Sequence, residues 1–226
     1  MSFIYLIRHG QACASQEDYD QLSDLGKEQA QLLHHHLQNK KIDAVYVGPR
    51  KRHLQTYLEA QHDDWPMAIQ ANWLDEFPAF DLIDLCGTQI AQRAPELAIA
   101  IDEIQNQTGI VHPQTAKVLQ KATQLWINGE IHSDELESFE AYEARLKIAR
   151  GMLTQKREHS VLCFSSAGWI ASFSGLLQLC DPAQSIRSAW ALYNSSITTF
   201  KNDDNGPFLA AFNWIEHIPT HKRTFI

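Results

Sequence analysis

The 226-residue sequence has no apolar run of about 18 residues and no basic-then-apolar leader, so neither membrane spanning nor secretion is expected and the location is read as cytoplasmic. Cysteine is scarce, with Cys13, Cys86, Cys163 and Cys180 showing no Cys-x-x-Cys spacing; they read as free thiols in a reducing compartment. Basic excess is missing as well. Lys plus Arg number 19 against 27 Asp plus Glu, a net charge of −8 that offers no footprint for nucleic acid or an acidic membrane. A phosphorylated substrate would therefore need a local basic pocket acting against the overall sign. Repeats, low-complexity tracts and an interdomain linker are also absent. Hydrophobic residues at 44% and charged residues at 20% argue against disorder, and the length suits one α/β domain or a core with an inserted cap.

Against these absences stands the start of the chain. Phe3-Ile4-Tyr5-Leu6-Ile7 reads as a buried strand, because β-branched and aromatic residues suit a sheet covered on both faces. It ends in Arg8-His9-Gly10, which delivers a cation and an imidazole to the carboxyl edge, where open α/β sheets build their sites. Gly10 lets the chain turn away. His9 is thus a candidate nucleophile beside a fixed positive charge, suited to attacking a phosphoryl group; the plainer alternative is a strand end that happens to be polar.

After a polar loop, Ser23 is placed to cap a helix that carries Leu25, Gln29, Ala30, Leu33 and Leu37 toward the core. His34-His35-His36 cannot converge on one ion, since consecutive helical residues point about 100° apart, and a solvated face is expected. A strand over 42–47 ends at Gly48-Pro49, a helix follows over about 50–61, and 67–70 reads as a short strand. From about Phe77 to Gly151 helical spacing dominates, including 96–107, 114–127 and 136–154; this is expected to be a helical cap at about 77–150. Then come a buried strand over 160–165, an apolar helix over 168–179, and late strands over 196–200 and 208–213 joined by an Asn/Asp-rich turn ending in Gly206. Strands alternating with helices predict an α/β class: a three-layer α/β/α sandwich with a mostly parallel sheet and a helical cap insertion.

Five segments, taken in order, resemble the histidine phosphatase superfamily, the phosphoglycerate mutase-like family. They are Arg8-His9-Gly10; Leu22-Ser23-x-x-Gly26-x-x-Gln29-Ala30; Gly48-Pro49-x-x-Arg52-x-x-Gln55-Thr56; Leu74-x-Glu76, with Glu137-Ser138 and Arg145 beyond it; and Val161 to Gly168 with Asn194-x-Ser196-Ile197. The resemblance spans nearly all the chain except the centre of the cap and implies a single domain over 1–226. It implies that Arg8 and Arg52 clamp a phosphate with planar, charge-assisted hydrogen bonds, leaving phosphorus in line with a nitrogen of His9. A neutral imidazole can attack once its other nitrogen is held as a donor. Glu76 is expected to protonate the leaving oxygen and later to take a proton from water. No cofactor or metal is expected, since arginines take that part and no carboxylate or histidine cage is evident. Without the resemblance, Arg52 would be part of a basic helix start beside Arg50, Lys51 and His53, while Glu76 would compete with Asp75 and Asp81 and Arg145 would be a helix-surface residue. Gly168 opens a helix and offers its N–H to an anion.

The pattern breaks at the late strand. The family's Ser-His-Gly-like turn reads Ser165-Ser166-Ala167-Gly168, so Ser166 stands at the histidine position and a branch lacking the second catalytic histidine is expected. Gln11 and Ser15 replace the acidic residue and asparagine usual after Arg-His-Gly. One lost donor costs roughly 10²–10³ in rate, which leaves a weaker enzyme rather than none. Two histidines are candidates to fill the gap, His53 and His217. The expected function is a metal-independent phosphomonoesterase with a phosphohistidine intermediate. The partner is expected to be a phosphorylated small molecule or phosphoprotein, with no nucleic acid or membrane partner. The alternatives are a catalytically reduced member that binds a phosphorylated ligand or protein, and mutase-type phosphoryl transfer.

Overall fold

A computed structural model describes residues 2–13, 20–106, 113–155 and 160–225. Ser15 and the end of the 96–107 segment lie outside the described residues. The chain divides into two compact units, 1–76 with 146–226, and 77–145.

The first unit is built on a six-stranded sheet of order β3-β2-β4-β1-β5-β6. Its strands are β1 (Ser2–Arg8), β2 (Ala44–Val47), β3 (Ile69–Gln70), β4 (Val161–Ser165), β5 (Ile197–Asp203) and β6 (Gly206–Trp214). The four strands from β3 to β1 run parallel, and β5 and β6 add an antiparallel edge. The sheet is mixed but mostly parallel, as the βα alternation predicts. Register places Arg8 beside Ser165 and Val47 beside Phe164, so three parallel strands end at the same level.

The helices of this unit are α1 (Asp24–Leu37), α2 (Lys51–Ala60), the C-terminal half of α6 (Phe139–Thr154), α7 (Ala167–Gln178) and α8 (Pro182–Arg187). Ser23 caps α1, its side chain accepting from Gly26 N at 3.0 Å. Alternation along β1 and β4 splits the core. Tyr5, Ile7, Leu162 and Phe164 pack with Leu33 and Leu37 of α1 and with Val45 and Val47, while Ile4, Leu6 and Cys163 are buried on the opposite face. In α1 the core face uses Gly26 where the spacing suggested Leu25, which stays half-buried.

The reason is a close backbone approach. A Cβ on Gly10 would lie 2.3 Å from Gly26 O, and one on Gly26 would lie 2.2 Å from Gln11 O. The turn after His9 is thus pressed onto the first turn of α1, and Gln29 Oε1 accepts from Gln11 N at 2.9 Å across the same seam. Helix α8, capped by Asp181 and opened by Pro182, was not anticipated by periodicity because it is only six residues long. The histidine run also departs from a simple solvated face. His35 is exposed, but His34 stacks on His62 at 3.8 Å between centroids and His36 packs against Trp214 at 4.4 Å.

The second unit contains α3 (Ala79–Arg93), α4 (Ala98–Asn106), α5 (Thr115–Ile127) and the first half of α6. Its described residues hold helices and no strand, which fits the helical spacing; α3 begins after Pro78 with no side-chain cap, and the unit ends at 145 rather than 150. Trp126, Tyr142, Phe139 and Phe77 form its aromatic centre. Arg145 is no surface residue: its guanidinium binds Glu137 twice, at 2.7 and 2.9 Å, and lies over the Tyr142 ring. Among the described residues no helix is long and apolar enough to cross a membrane.

Replacing Gly10 with Ala should force the β1 turn off α1. The expected cost is about 1–3 kcal/mol, read as a fall in Tm of roughly 2–12 °C. An unchanged Tm would show that the seam can open without penalty.

Candidate active site

His9 leaves β1 with both its backbone and its ring fixed. Its N–H donates to Ser165 O at 3.0 Å, and its carbonyl accepts from Ser195 N at 3.1 Å and Asn194 Nδ2 at 3.4 Å. Ser195 holds this position with φ of 55°, a left-handed conformation that a non-glycine residue adopts at some cost. The ring Nδ1 lies 2.7 Å from Gly10 O. A carbonyl can only accept, so Nδ1 carries the proton and Nε2 keeps its lone pair. That lone pair receives Arg52 Nε–H at 3.2 Å.

Arg52 reaches His9 because α2 starts right after β2. Thr56, one turn further along, accepts from Gly10 N at 3.0 Å and donates to Arg52 O at 2.7 Å, tying the helix to the turn after His9. Gln55 Oε1 accepts from Leu22 N at 2.7 Å, so the Gln55-Thr56 pair is scaffold rather than chemistry. The guanidinium of Arg52 has three directions of use: Nε toward His9, Nη2 toward Ser166 Oγ at 3.4 Å, and Nη1 toward Asp20 Oδ1 at 2.8 Å. Arg8 is buried beside them and donates through Nη1 to Leu192 O.

Ser166 and His53 complete this group, and both are fully buried. His53 Nε2 stands 2.7 Å from Ser166 Oγ, and its ring centroid is 5.8 Å from that of His9. A Cβ on Gly48 would lie 2.2 Å from His53 Nδ1, so the ring occupies space that only glycine leaves open. Of the two candidate replacements, His53 is the one in contact with Ser166. His217 stacks on Trp214 and donates Nε2–H to Ser195 O at 3.0 Å, behind the His9 clamp.

Glu76 and Gly168 meet each other. The Glu76 carboxylate accepts from Gly168 N at 3.1 Å and Trp169 N at 2.9 Å, so it sits on the N-terminus of α7. The Gly168 N–H expected to receive an anion thus holds the Glu76 carboxylate. Asp75, the competing acid, pairs with Arg50 at 2.6 Å. Gln11 Oε1 accepts from Ser23 Oγ at 2.8 Å, a structural role for the neutral residue that follows Gly10. Four contributors escaped sequence reasoning: Asp20, Thr56, Asn194 and Ser195. Asn194 lay inside a matched segment, and its carbonyl clamp could have been suspected there; Asp20 carried no local signal.

Burial chiefly, then the positive charges of Arg52 and Arg8 and the nearby His53, hold the His9 pKa well below its ordinary value. His53 is lowered likewise, by burial first and then by Arg52 and Arg50. No group of three or more His, Cys, Asp or Glu among the described residues could hold a metal ion. The cluster can thus offer a neutral imidazole, two guanidinium groups and a hydroxyl around one point at the sheet's carboxyl edge.

An imidazole paired with arginines at the end of a parallel strand is an arrangement whose charge and shape suit an anion with several oxygens. Residues 4–107 match the model of the histidine phosphatase superfamily (branch 1), the family that the sequence resembles. The match takes in Arg8, His9, Arg52 and Glu76 and stops before Ser166. Among solved structures the chain is similar to a mutant phosphoserine phosphatase from Entamoeba histolytica in complex with phosphoserine, at 18% identity and a TM-score of 0.64 over 97% of this chain and 100% of that one. It is also similar to a mycobacterial glucosyl-3-phosphoglycerate phosphatase in complex with VO3, at 17% identity and a TM-score of 0.64 over 95% and 100%. A third is the alpha-ribazole phosphatase from Shigella flexneri, at 18% identity and a TM-score of 0.61 over 93% and 96%. At these identities the likeness shows the fold. No curated protein sequence matches the chain.

Four histidines are depressed, His36 and His217 besides His9 and His53, and the two beside the arginines make a stability prediction. Below about pH 6.5 the unfolded chain takes up protons that folded His9 and His53 refuse, so stability falls as pH falls, at most about 1.4 kcal/mol per pH unit for each group. Above that pH neither group contributes a slope. Urea midpoints should be flat from pH 7 to 8 and decline from pH 6.5 to 5, with a shallower decline in His53→Gln; an equal decline in both proteins would remove His53 from this account.

Proposed function

We propose that the protein is a metal-independent phosphomonoesterase that works through a phosphohistidine on His9. The observation that carries this reading is the locked tautomer: Nδ1–H on Gly10 O leaves the Nε2 lone pair facing the Arg52 guanidinium. A substrate phosphate would draw the Arg52 N–H groups onto its own oxygens and bring phosphorus to Nε2, with Arg8 adding positive charge from the same strand end. The phosphorus–oxygen ester bond then breaks as the Nε2–phosphorus bond forms. The leaving oxygen takes a proton from a carboxylic acid, a part for which Glu76 is the candidate. Water attacks the phosphohistidine next, giving up its proton to the same carboxylate and releasing inorganic phosphate.

The neutrality of His9 supports this sequence, since burial and the neighbouring arginines keep the imidazole unprotonated and nucleophilic through mildly acidic pH. A second reading, a member that binds a phosphorylated ligand without turnover, is favoured by one observation. Asp20 binds Arg52 at 2.8 Å, so a carboxylate already shares the guanidinium that a phosphate would need.

Incubation with an aryl phosphate followed by rapid denaturation and mass spectrometry should find an acid-labile phosphate on His9. His9→Ala should lose turnover, and Arg52→Ala should lose roughly 10²–10³ in kcat/KM. Full turnover by His9→Ala would overturn the phosphohistidine. Thermal protection by vanadate without any turnover would favour the binding reading.

A further inference from the structure

The contact between His53 and Ser166 is not explained by the phosphohistidine alone. Two fully buried polar groups from different elements meet at 2.7 Å, and the histidine ring is admitted only by the missing side chain of Gly48. Arg52 joins them, because one planar guanidinium touches His9 Nε2 through Nε and Ser166 Oγ through Nη2. One guanidinium therefore bridges the hydroxyl and the nitrogen that would carry phosphorus.

We propose that Ser166 and His53 act as one unit where the resemblance implies a second histidine: the Ser166 hydroxyl donates to a phosphoryl oxygen at His9, and His53 aims it. This rests on the phosphate-site reading above and deepens it. A serine oxygen has one proton and two lone pairs. Arg52 has only donors, so Nη2 occupies one lone pair. If His53 donates Nε2–H to the other, the hydroxyl proton points out of the pair toward the third direction. An arriving anion favours this arrangement over the reverse, in which the hydroxyl is spent on His53. Ser166 is then the group that touches substrate, and His53 is a positioning residue acting through it. The pair supplies one well-aimed donor from a residue too short to be aimed by its own side chain.

A double-mutant cycle on the full-length protein with p-nitrophenyl phosphate tests the unit. Ser166→Ala and His53→Leu should each lower kcat roughly tenfold to a hundredfold with KM changed less than about threefold, and the double variant should be no worse than the poorer single. His53→Gln places an amide donor near the reach of Nε2 and should recover most of the loss, which a purely structural role for the ring would not explain. Ser166→His should lower activity, because the new imidazole meets His53. Additive losses, an unchanged kcat in Ser166→Ala, or a gain in Ser166→His would each overturn the unit. If His53→Leu does not fold, the cycle of Ser166→Ala with His53→Gln decides: an effect of His53→Gln that persists undiminished without the hydroxyl overturns the unit. If the unaltered protein turns over no phosphomonoester, the esterase reading falls, and the same cycle is read in vanadate affinity. There a non-additive loss upholds the pair, while additive losses or no vanadate binding overturn it.

Discussion

The site depends on three parallel strands ending at one level. Because β1, β4 and β2 are in register at Arg8, Ser165 and the Val47–Phe164 pair, the next residues of each strand, His9, Ser166 and Gly48, emerge together. Parallel hydrogen bonding sets that level, and a slip of one residue would turn every side chain to the opposite face. All other features of the cluster are fastened to those three ends. Thr56 ties α2 to Gly10, the Gly10–Gly26 contact seats the turn on α1, and Asn194 with Ser195 grips the His9 carbonyl from the antiparallel side.

Charge follows from the same placement. The chain is acidic overall, yet Arg8, Arg50 and Arg52 stand at or just after strand ends and gather around a buried edge. Each has its own restraint: Leu192 O for Arg8, Asp75 for Arg50 and Asp20 for Arg52. A fixed acceptor holds each of these cations in one orientation. Glu76 is seated by the same logic in reverse, on the N–H groups that open α7.

The histidines divide by environment in a way that their number does not suggest. His9 and His53 are buried next to arginines and stay neutral, while His36 and His217 pack on Trp214 at a separate place, where burial lowers His217 to about 4. The run His34-His35-His36 thus contributes stacking and a backbone hydrogen bond from His34 to Gln61 rather than a surface of three equivalent groups. Proximity in sequence and proximity at the site are unrelated here: His53 lies beside a serine 113 positions away.

Local pattern was enough for the strand that ends in Arg8-His9-Gly10, the capped helix α1 and the helices of the middle segment, because each of these is written in neighbouring residues. Strand and helix periods are short-range properties, and a strand end at the carboxyl edge of an α/β sheet has few places to lie. Tertiary structure alone decided what each residue meets. Nothing near Glu76 in sequence fixes what its carboxylate meets, and folding put it on Gly168 and Trp169; folding likewise put the His53 ring on Ser166 and the His217 ring behind Ser195. Asp20 had no signal at all, because an ion pair across 32 positions is created by chain closure and not by any local preference.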